Sequence, residues 1–245
     1  MNRMRVIFVV SLLCIAAAAQ TSPPAPKKST PKPAGKESAS PMPAATKPTA
    51  VIDTTAGRMT CTLFPNKSPN SVANFVGLAT GAKEWKDPKT SKTMRNKPLY
   101  EGTIFHRVIP NFMVQGGDPL GNGTGGPGFE MADEFPDVKF DVAGRLAYAN
   151  SGANTNGSQF FITEVPAPHL DAPNHYTIFG TCDEATVELV KQIARRPRDE
   201  RNDRPFDPVV INKITILGYK LPAASAPATK KPAKRAPAKS SKPRT

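Results

Sequence analysis

Alternating polar and apolar residues mark the first predicted strand of the chain. Residues 59–63 have the sequence MTCTL, in which every second side chain is apolar. A period of two is typical of a strand with one buried face. Residues 209–217, which are rich in valine and isoleucine, predict a closing strand near the other end of the chain.

Two segments have the spacing of helices instead. From Val72 onward, apolar residues fall at i, i+3, i+4 and i+7, which is the buried stripe of a helix. Ser68 is a candidate N-cap, Pro69 suits the first helical position, and Gly81 can end the helix in the left-handed conformation. A second helix is predicted over residues 183–194, where apolar side chains share one face.

Most of the remaining apolar runs are short and are separated by glycine, proline and asparagine. This pattern favours an all-β barrel or sandwich over alternating strands and helices. Residues 82–98 predict a polar, lysine-rich loop that contains the single tryptophan, Trp85.

Charge and proline content divide the chain into a central region and two flanks. Residues 51–220 contain 19 basic and 19 acidic residues, whereas residues 1–50 have a net charge of +6 and residues 221–245 a net charge of +7. Residues 20–50 and 221–245 consist mainly of proline, lysine, alanine, serine and threonine, so we expect a disordered linker and a disordered basic tail. The overall charge therefore gives no reason to expect specific binding of nucleic acid by the central domain, residues 51–220.

The first 19 residues are typical of a signal peptide. Arg3 and Arg5 precede an apolar run over residues 6–19, which is too short to span a bilayer comfortably and ends in alanines. The alternatives are a retained anchor or a lipidated Cys14, although Leu13 stands where lipidation requires a small residue. Export to the periplasm or the extracellular space follows from the signal-peptide hypothesis.

Signal-peptide cleavage would leave two cysteines, Cys61 and Cys182. An even number of cysteines in an oxidising compartment could form a disulfide. The alternative is two buried thiols, since unpaired cysteines are common in protein cores.

Several short motifs lack the context that their chemistry requires. Residues 121–126, GNGTGG, match the glycine fingerprint of dinucleotide sites, but the next residues, PGF, stand where a phosphate-binding helix would begin. We therefore expect a tight glycine loop. The three histidines, His106, His169 and His175, lack metal-ligand spacing, and no nucleophile motif stands out, so neither a metal nor a cofactor is predicted.

Two longer segments combine residue types in an unusual way. Residues 105–118, FHRVIPNFMVQGGD, place one arginine and one glutamine among large apolar side chains. Strand alternation puts Arg107, Ile109 and Asn111 on one face, and a loop after Ile109 would then reset the register. Residues 149–162, ANSGANTNGSQFFI, predict a polar loop that runs into an aromatic strand.

Together these segments resemble the signature sequences of the cyclophilin-type peptidyl-prolyl cis/trans isomerases. The resemblance extends over about residues 51–217 and includes KSPNSVANFVGL at the start of the first predicted helix. It implies an all-β domain, a closed eight-stranded antiparallel barrel capped by two helices, with a filled core and the site on the outer face. It also implies rotation about X–Pro bonds without a covalent intermediate.

The resemblance further implies roles for individual residues. Arg107 takes the position of the catalytic arginine, which stabilises the twisted prolyl amide, and Gln115 helps to hold it. His106 either supports Arg107 or has a structural role. The other expected substrate-binding residues line the proline slot, pair with the peptide backbone or border an adjoining pocket. They are Phe112, Met113, Gly123, Ala149, Asn150, Gln159, Phe161, His169, Leu170 and Tyr176.

The chain departs from the family pattern at the far rim of this site. His169 stands where many cyclophilins that bind cyclosporin strongly have tryptophan, so weak cyclosporin binding is expected. The turn after Leu170 is longer than usual, which leaves either His175 or Tyr176 at the position of a family histidine. Tyr176 is favoured because the sequence YTIFG continues a strand.

The leading functional hypothesis is a monomeric isomerase that acts on proline-containing polypeptides while exported proteins fold. The first alternative is a proline-recognising binding module with weak catalysis. The second is adhesion to anionic envelope polymers through the basic flanks, for which the competing interpretation is a solvated spacer.

Overall fold

The computed structural model describes residues 47–172 and 176–222. The expected signal peptide, the linker before residue 47, the basic tail after residue 222 and His175 lie outside the described residues. The first strand begins at Thr49, so the folded domain starts inside the segment that composition assigns to the linker. Within the described ranges, no helix has the length and apolar character needed to cross a membrane.

Twelve strands and two α-helices make up the described part of the chain. The strands are β1 (Thr49–Thr54), β2 (Gly57–Leu63), β3 (Trp85–Lys86), β4 (Thr93–Met94), β5 (Arg107–Ile109), β6 (Met113–Gly116), β7 (Arg145–Tyr148), β8 (Phe160–Thr163), β9 (Ile178–Cys182), β10 (Arg198–Asp199), β11 (Arg204–Pro205) and β12 (Ile211–Leu217). The helices are α1 (Pro69–Thr80) and α2 (Glu184–Ala194), and a 3₁₀ turn covers Pro168–Leu170.

Eight of these strands form one curled antiparallel sheet. Their order is β12-β1-β2-β9-β7-β8-β6-β5. The segments next to the two outer strands meet where Ile104 and Val210 form an isolated β-bridge and the N–H of Phe105 donates to the carbonyl of Val209 at 3.0 Å. The predicted eight-stranded antiparallel fold with two helices is confirmed, and its outer strands meet through these few bonds instead of a continuous ladder.

Aromatic side chains fill the interior of the sheet. The ring of Phe75 in α1 lies 5.1 Å from that of Tyr100, 5.7 Å from that of Phe160 and 5.2 Å from that of Phe179. All four side chains are fully buried. Because these rings pack at contact distance, the outer face of the sheet is left as the place for a binding site.

Helix α1 has the boundaries that the sequence predicts, but its N-terminus is capped in another way. It begins at Pro69 and ends before Gly81, whose φ is 77°. The hydroxyl of Ser68 does not cap the helix, because it donates to the carbonyl of Ile178 at 2.7 Å. A carboxylate from elsewhere, Glu134, takes over that function.

Glu134 accepts hydrogen bonds from the first residues of α1. Its two carboxylate oxygens bind the backbone N–H of Asn70 at 3.0 Å and that of Ser71 at 2.8 Å. A negative charge at this end of a helix is stabilised both by the unpaired N–H groups and by the helix dipole. Glu134 lies 63 residues from Ser71 in the sequence, so no local motif indicates the contact.

Helix α2 and the lysine-rich segment differ in how well the sequence predicts them. The side chain of Asp183 caps α2 by accepting from the N–H of Thr186 at 2.8 Å, as the predicted boundary requires. The prediction of a loop over residues 82–98 is wrong at β3 and β4, which pair as a short hairpin. Trp85 is buried there and donates its indole N–H to the carbonyl of Lys97 at 2.8 Å.

A disulfide joins β2 to β9 through Cys61 and Cys182. The two residues are direct partners in the antiparallel register of these strands, and both are buried. Of the two interpretations that the sequence leaves open, the structure therefore contains the disulfide and not the pair of thiols.

Removal of this disulfide should lower the free energy of unfolding. The bond links cysteines 121 residues apart, and chain-entropy arguments give about 4–5 kcal/mol as an upper value for such a loop. Urea unfolding should give a lower midpoint for the Cys61→Ala/Cys182→Ala double variant than for the oxidised protein. Equal midpoints would contradict the predicted loss of stability. Titration of more than one free thiol, that of Cys14, in the unfolded and unreduced full chain would contradict the disulfide itself.

Candidate active site

One cross-strand row on the outer face of the sheet contains the predicted catalytic arginine. Arg107 in β5 pairs with Gln115 in β6, Gln115 with Phe161 in β8, and Phe161 with Ala147 in β7. Side chains of directly paired residues point to the same face of a sheet. The register therefore places a guanidinium group at one end of a row whose other end is apolar.

The apolar end of this row belongs to a hydrophobic cluster separate from the core. Met113 and Phe161 are buried in it, and Phe112 and Leu170 are half-buried at its edge. The structure thus brings together the four residues that we expect to line the proline slot. The other members of the cluster are Phe64, Ile109, Val138, Phe140, Ala147, Ala149, Ala167, Tyr176 and Ile178.

Ring contacts order the rim of this slot. The ring of Phe112 lies 5.2 Å from that of His169, which is exposed on the 3₁₀ turn. The ring of Tyr176 meets that of Phe161 edge-on at 5.5 Å. Tyr176 therefore contacts a slot residue, whereas His175, the other candidate for the family histidine position, lies outside the described residues.

Arg107 is half-exposed and faces a carboxylate that the sequence does not single out. Its Nε lies 3.6 Å from Oδ2 of Asp203, while Oδ1 of Asp203 lies 3.3 Å from Nε of Arg198. The carbonyl of Asp203 also accepts the N–H of Val108 at 2.9 Å. These contacts attach the turn between β10 and β11 to β5 beside Arg107. The spacing of residues 105–118 does not indicate this contact with Asp203.

Gln115 lies beside Arg107 in the ladder but hydrogen-bonds elsewhere. Its side-chain N–H donates to the side-chain oxygen of Gln159 at 2.9 Å. The amide of Gln159 donates in turn to the carbonyls of Gly123 and Gly125, each at 2.9 Å. Gln115 is therefore the neighbour of Arg107 in the sheet, and its side-chain N–H is used by Gln159 and not by Arg107.

These two glutamines form part of the wall of a groove of about 970 Å³. Gly123, Ala149 and Asn150, the other residues expected beside the slot, line the same groove. Lys86 and Asp87 from the lysine-rich hairpin complete it on the far side. The expected border residues of the adjoining pocket thus lie around one cavity.

The glycine-rich segment is built around a buried carboxylate. Asp118 accepts the backbone N–H of Leu120 at 2.7 Å, that of Asn122 at 3.0 Å and that of Gly123 at 2.6 Å. Burial raises the pKa of the Asp118 carboxyl, but these hydrogen bonds together outweigh burial and hold the pKa below its ordinary value. The segment is the tight loop that we expect, with its N–H groups directed at its own carboxylate.

The imidazole of His106 is buried beneath this loop. The residue is 4% exposed, and within the described ranges neither ring nitrogen forms a well-aligned hydrogen bond, although the backbone of Ile104 interacts with the imidazole. Burial lowers the pKa of its imidazole, which favours the neutral form at neutral pH. No hydrogen bond links His106 to Arg107 among the described residues, so its expected support of Arg107 is not visible as a direct contact.

A buried carboxylate, paired with a half-exposed arginine, holds the turn between Arg107 and Phe112. Glu164 is 1% exposed, and its Oε1 lies 2.7 Å from Nη1 of Arg195. Its Oε2 accepts the backbone N–H of Asn111 at 3.1 Å, where φ is 57°. Sequence patterns do not indicate Glu164, because Asn111 lies 53 residues away in the chain.

No group of three or more His, Cys, Asp or Glu residues that could hold a metal ion occurs in residues 47–172 and 176–222. The polar groups next to the slot are instead a guanidinium and two amides. Such groups donate hydrogen bonds to carbonyl oxygens and lone pairs.

Comparisons with known proteins agree with this geometry. The family model described as cyclophilin type peptidyl-prolyl cis-trans isomerase/CLD matches residues 49–216. Peptidyl-prolyl cis-trans isomerase B of Streptomyces anulatus is 48% identical over 169 residues, which cover 68% of this chain and 95% of that protein. Peptidyl-prolyl cis-trans isomerase A of Mycobacterium tuberculosis is also 48% identical, over 69% of this chain and 91% of that protein.

A solved structure has the same architecture. The cyclophilin-type isomerase of Cryptosporidium parvum superposes with a TM-score of 0.58 at 32% identity, over 71% of this chain and 99% of that one. A second crystal structure of that protein, obtained in the presence of the dipeptide Ala-Pro, gives a TM-score of 0.57 at 33% identity.

The curled antiparallel sheet with its outer-face slot thus places the molecule among β-fold prolyl isomerases. The chain belongs to the cyclophilin-type peptidyl-prolyl cis-trans isomerases. Its activity is the isomerisation of peptide bonds that precede proline.

Replacement of Glu164 by alanine should lower both stability and activity. The variant removes a buried carboxylate together with its bonds to Arg195 and to the N–H of Asn111, which should cost about 1–3 kcal/mol of unfolding free energy. Because the released turn joins Arg107 to Phe112, kcat/KM for an X–Pro peptide should fall roughly tenfold. Urea unfolding and an isomerase assay measure the two effects.

The matched control for this variant is Glu188→Ala. Glu188 is an exposed residue of α2 whose one ion pair within residues 47–172 and 176–222 is with Lys191, at 2.5 Å. It should change the unfolding free energy by less than about 0.5 kcal/mol. Equal effects of the two substitutions would show that the turn contact does not position the site.

Proposed function

We propose that this isomerase acts on exported polypeptides and that Arg107 stabilises the twisted prolyl amide without forming a covalent bond. The observation that carries the proposal is the cross-strand row, in which Gln115 separates Arg107 from the buried ring of Phe161 on one face of the sheet. A proline held by the apolar cluster would present its amide to the guanidinium.

The chemistry requires no bond to be broken. Rotation about an X–Pro bond is slow because amide resonance raises a barrier of roughly 20 kcal/mol. A catalyst must bind the twisted amide more tightly than either planar form. Differential binding of about 7 kcal/mol would accelerate rotation roughly 10⁵-fold.

Arg107 has the properties that this differential binding needs. Its guanidinium is charged at any working pH, and in the twisted amide the prolyl nitrogen gains a lone pair that can accept an N–H. The nearest carboxylate oxygen, Oδ2 of Asp203, is 3.6 Å away, beyond the range of a hydrogen bond. Its N–H groups therefore have no protein acceptor within the described residues and can serve the substrate.

The apolar cluster supplies the grip on proline. Met113 and Phe161 form a buried floor, with Phe112 and Leu170 at the edge. We assign the backbone of Asn150 to pairing with the substrate chain, and Ala149, Gln159 and Gly123 to the border of the groove. His169 and Tyr176 then complete the rim through their contacts with slot rings.

Replacement of Arg107 by alanine or lysine should abolish most activity. Alanine removes the donor, and lysine keeps the charge but loses the planar fork. We expect kcat/KM for an X–Pro peptide to fall at least about 100-fold in both variants. An isomerase assay on folded protein measures this loss.

Arg58→Ala is the control for this experiment. Arg58 is an exposed residue of β2 that forms an ion pair with Asp53 of β1. Its removal should leave turnover within about twofold of the unmodified protein. Near-normal turnover by a folded Arg107→Lys protein would disprove the role of the guanidinium, and a protein that binds X–Pro peptides without turning them over would instead be a binding module.

The proposal of export is supported by two observations. The first 19 residues have the charge and apolar pattern of a signal peptide. The disulfide between Cys61 and Cys182 is typical of proteins that fold in an oxidising compartment. We therefore propose that the substrates are proline-containing chains that fold outside the cytoplasm.

Cell fractionation tests both export and the alternative role of the basic flanks. The full chain should appear in the periplasmic or extracellular fraction, and recovery only from the cytoplasm would contradict export. A matched chain without residues 221–245 addresses adhesion to anionic envelope polymers. If the tail adheres, the truncated chain should be retained less than the full chain at low salt. At high salt the two chains should be retained equally, because salt screens exposed charges.

A further inference from the structure

Another cavity, smaller than the groove, lies beside Arg107. Its volume is about 390 Å³. It is lined by His106, Arg107, Gln115, Asn122, Gly123, Asn202 and Arg204. In contrast to the proline slot, every side chain on this wall is polar or charged.

This cavity is continuous with the groove that borders the slot. Gln115 and Gly123 line both spaces. Gln159 connects these two residues, because it accepts from the amide of Gln115 and donates to the carbonyl of Gly123. A peptide lying in the groove with its prolyl amide at Arg107 would therefore pass the mouth of the smaller cavity.

Hydrogen-bond donors predominate on its wall. The side-chain oxygen of Asn122 accepts from the N–H of Thr124, and that of Asn202 accepts from the N–H of Arg204, each at 3.0 Å. The side-chain NH₂ groups of both asparagines have no protein acceptor among the described residues. Buried His106 lines the same wall, and its ring nitrogens form no well-aligned hydrogen bond within the described residues.

The charges around the cavity leave an excess of cations. Asp203 is shared between Arg107 and Arg198. Asp118 is bound by the N–H groups of its own loop, and its charge also acts on His106. Arg204 donates to the carbonyl of Gly121, and within the described ranges it forms no ion pair. Arg204 is thus a half-buried cation beside donors that have no anion to bind.

We propose that this cavity is a specificity subsite that takes the carboxylate of an aspartate or glutamate next to the prolyl residue of the substrate, with Arg204 as the determining residue. The inference rests on the proposed function of Arg107, because that function places the peptide beside the cavity. Arg204 supplies the charge, and the amides of Asn122 and Asn202 supply neutral donors.

Peptide pairs that differ only in glutamate or glutamine at one position test this subsite. Two pairs carry glutamate or glutamine, one immediately before proline and one immediately after it. At low salt, glutamate at one of these positions should raise kcat/KM about fivefold over glutamine, as an ion pair of this exposure provides. Arg204→Gln should reduce the ratio to about one, and screening by about 0.5 M salt should reduce it likewise.

Arg201→Gln is the matched control. Arg201 lies in the same arginine-rich segment but is highly exposed and pairs with Asp199 at 2.8 Å. It should keep the fivefold ratio. A ratio below about two at both positions in the unmodified protein, or a ratio retained in Arg204→Gln, would overturn the subsite.

Two further measurements keep the outcome decisive. If Arg204→Gln does not fold, the Glu/Gln ratio of the unmodified protein at low and high salt decides, and a ratio that ignores salt overturns the proposal. If the protein turns over none of the four peptides, the function proposed for Arg107 fails. Calorimetric binding of the same peptides, weaker for glutamine than for glutamate, would still support the subsite, and equal affinities would overturn it.

Discussion

The register between neighbouring antiparallel strands is the constraint on which the site depends. Side chains alternate between the two faces of a strand, so the pairing that turns Val108 and Val114 into the core also turns Arg107 and Gln115 outward. A slip of one residue would carry the guanidinium inward and an apolar side chain outward. The aromatic interior resists such a slip, and the packed core therefore sets the place of the cation relative to the slot.

Carboxylates complete what the register begins, because they hold the turns at the ends of the strands. Glu134 binds the first N–H groups of α1, Glu164 binds the turn at Asn111, and Asp118 binds the glycine loop. Each is a charged acceptor for backbone donors that would otherwise lack a partner. The strands thus provide a rigid row of side chains, and the carboxylates fix the loops that border it.

The electrostatics of the molecule differ between its regions. The central residues 51–220 are neutral in sum, and the excess positive charge is carried by the two flanks. Within the domain, however, Asp203 is shared by Arg107 and Arg198, and Arg204 faces a polar cavity without a carboxylate of its own. A neutral domain can therefore present a locally positive site to its substrate, and neither property can be deduced from the other.

The sequence by itself determined those features that depend on neighbours along the chain. The ends of α1 at Pro69 and Gly81 and the cap of α2 at Asp183 follow from local propensity. The outward position of Arg107 follows from strand alternation, and its chemical role from the family that residues 105–118 resemble. Local sequence patterns predicted a loop around Trp85, whereas the structure has a hairpin there and the indole packs in the core.

Only the tertiary structure decided which distant groups meet. It chose between a disulfide and two thiols for Cys61 and Cys182, because strand pairing brings cysteines 121 residues apart into register. It also placed Asp203 beside Arg107. The side chain of Gln115 donates a hydrogen bond to Gln159, and Glu164 accepts one from the N–H of Asn111. These contacts arise when the sheet curls and its loops pack, and a single sequence carries no local signal for them.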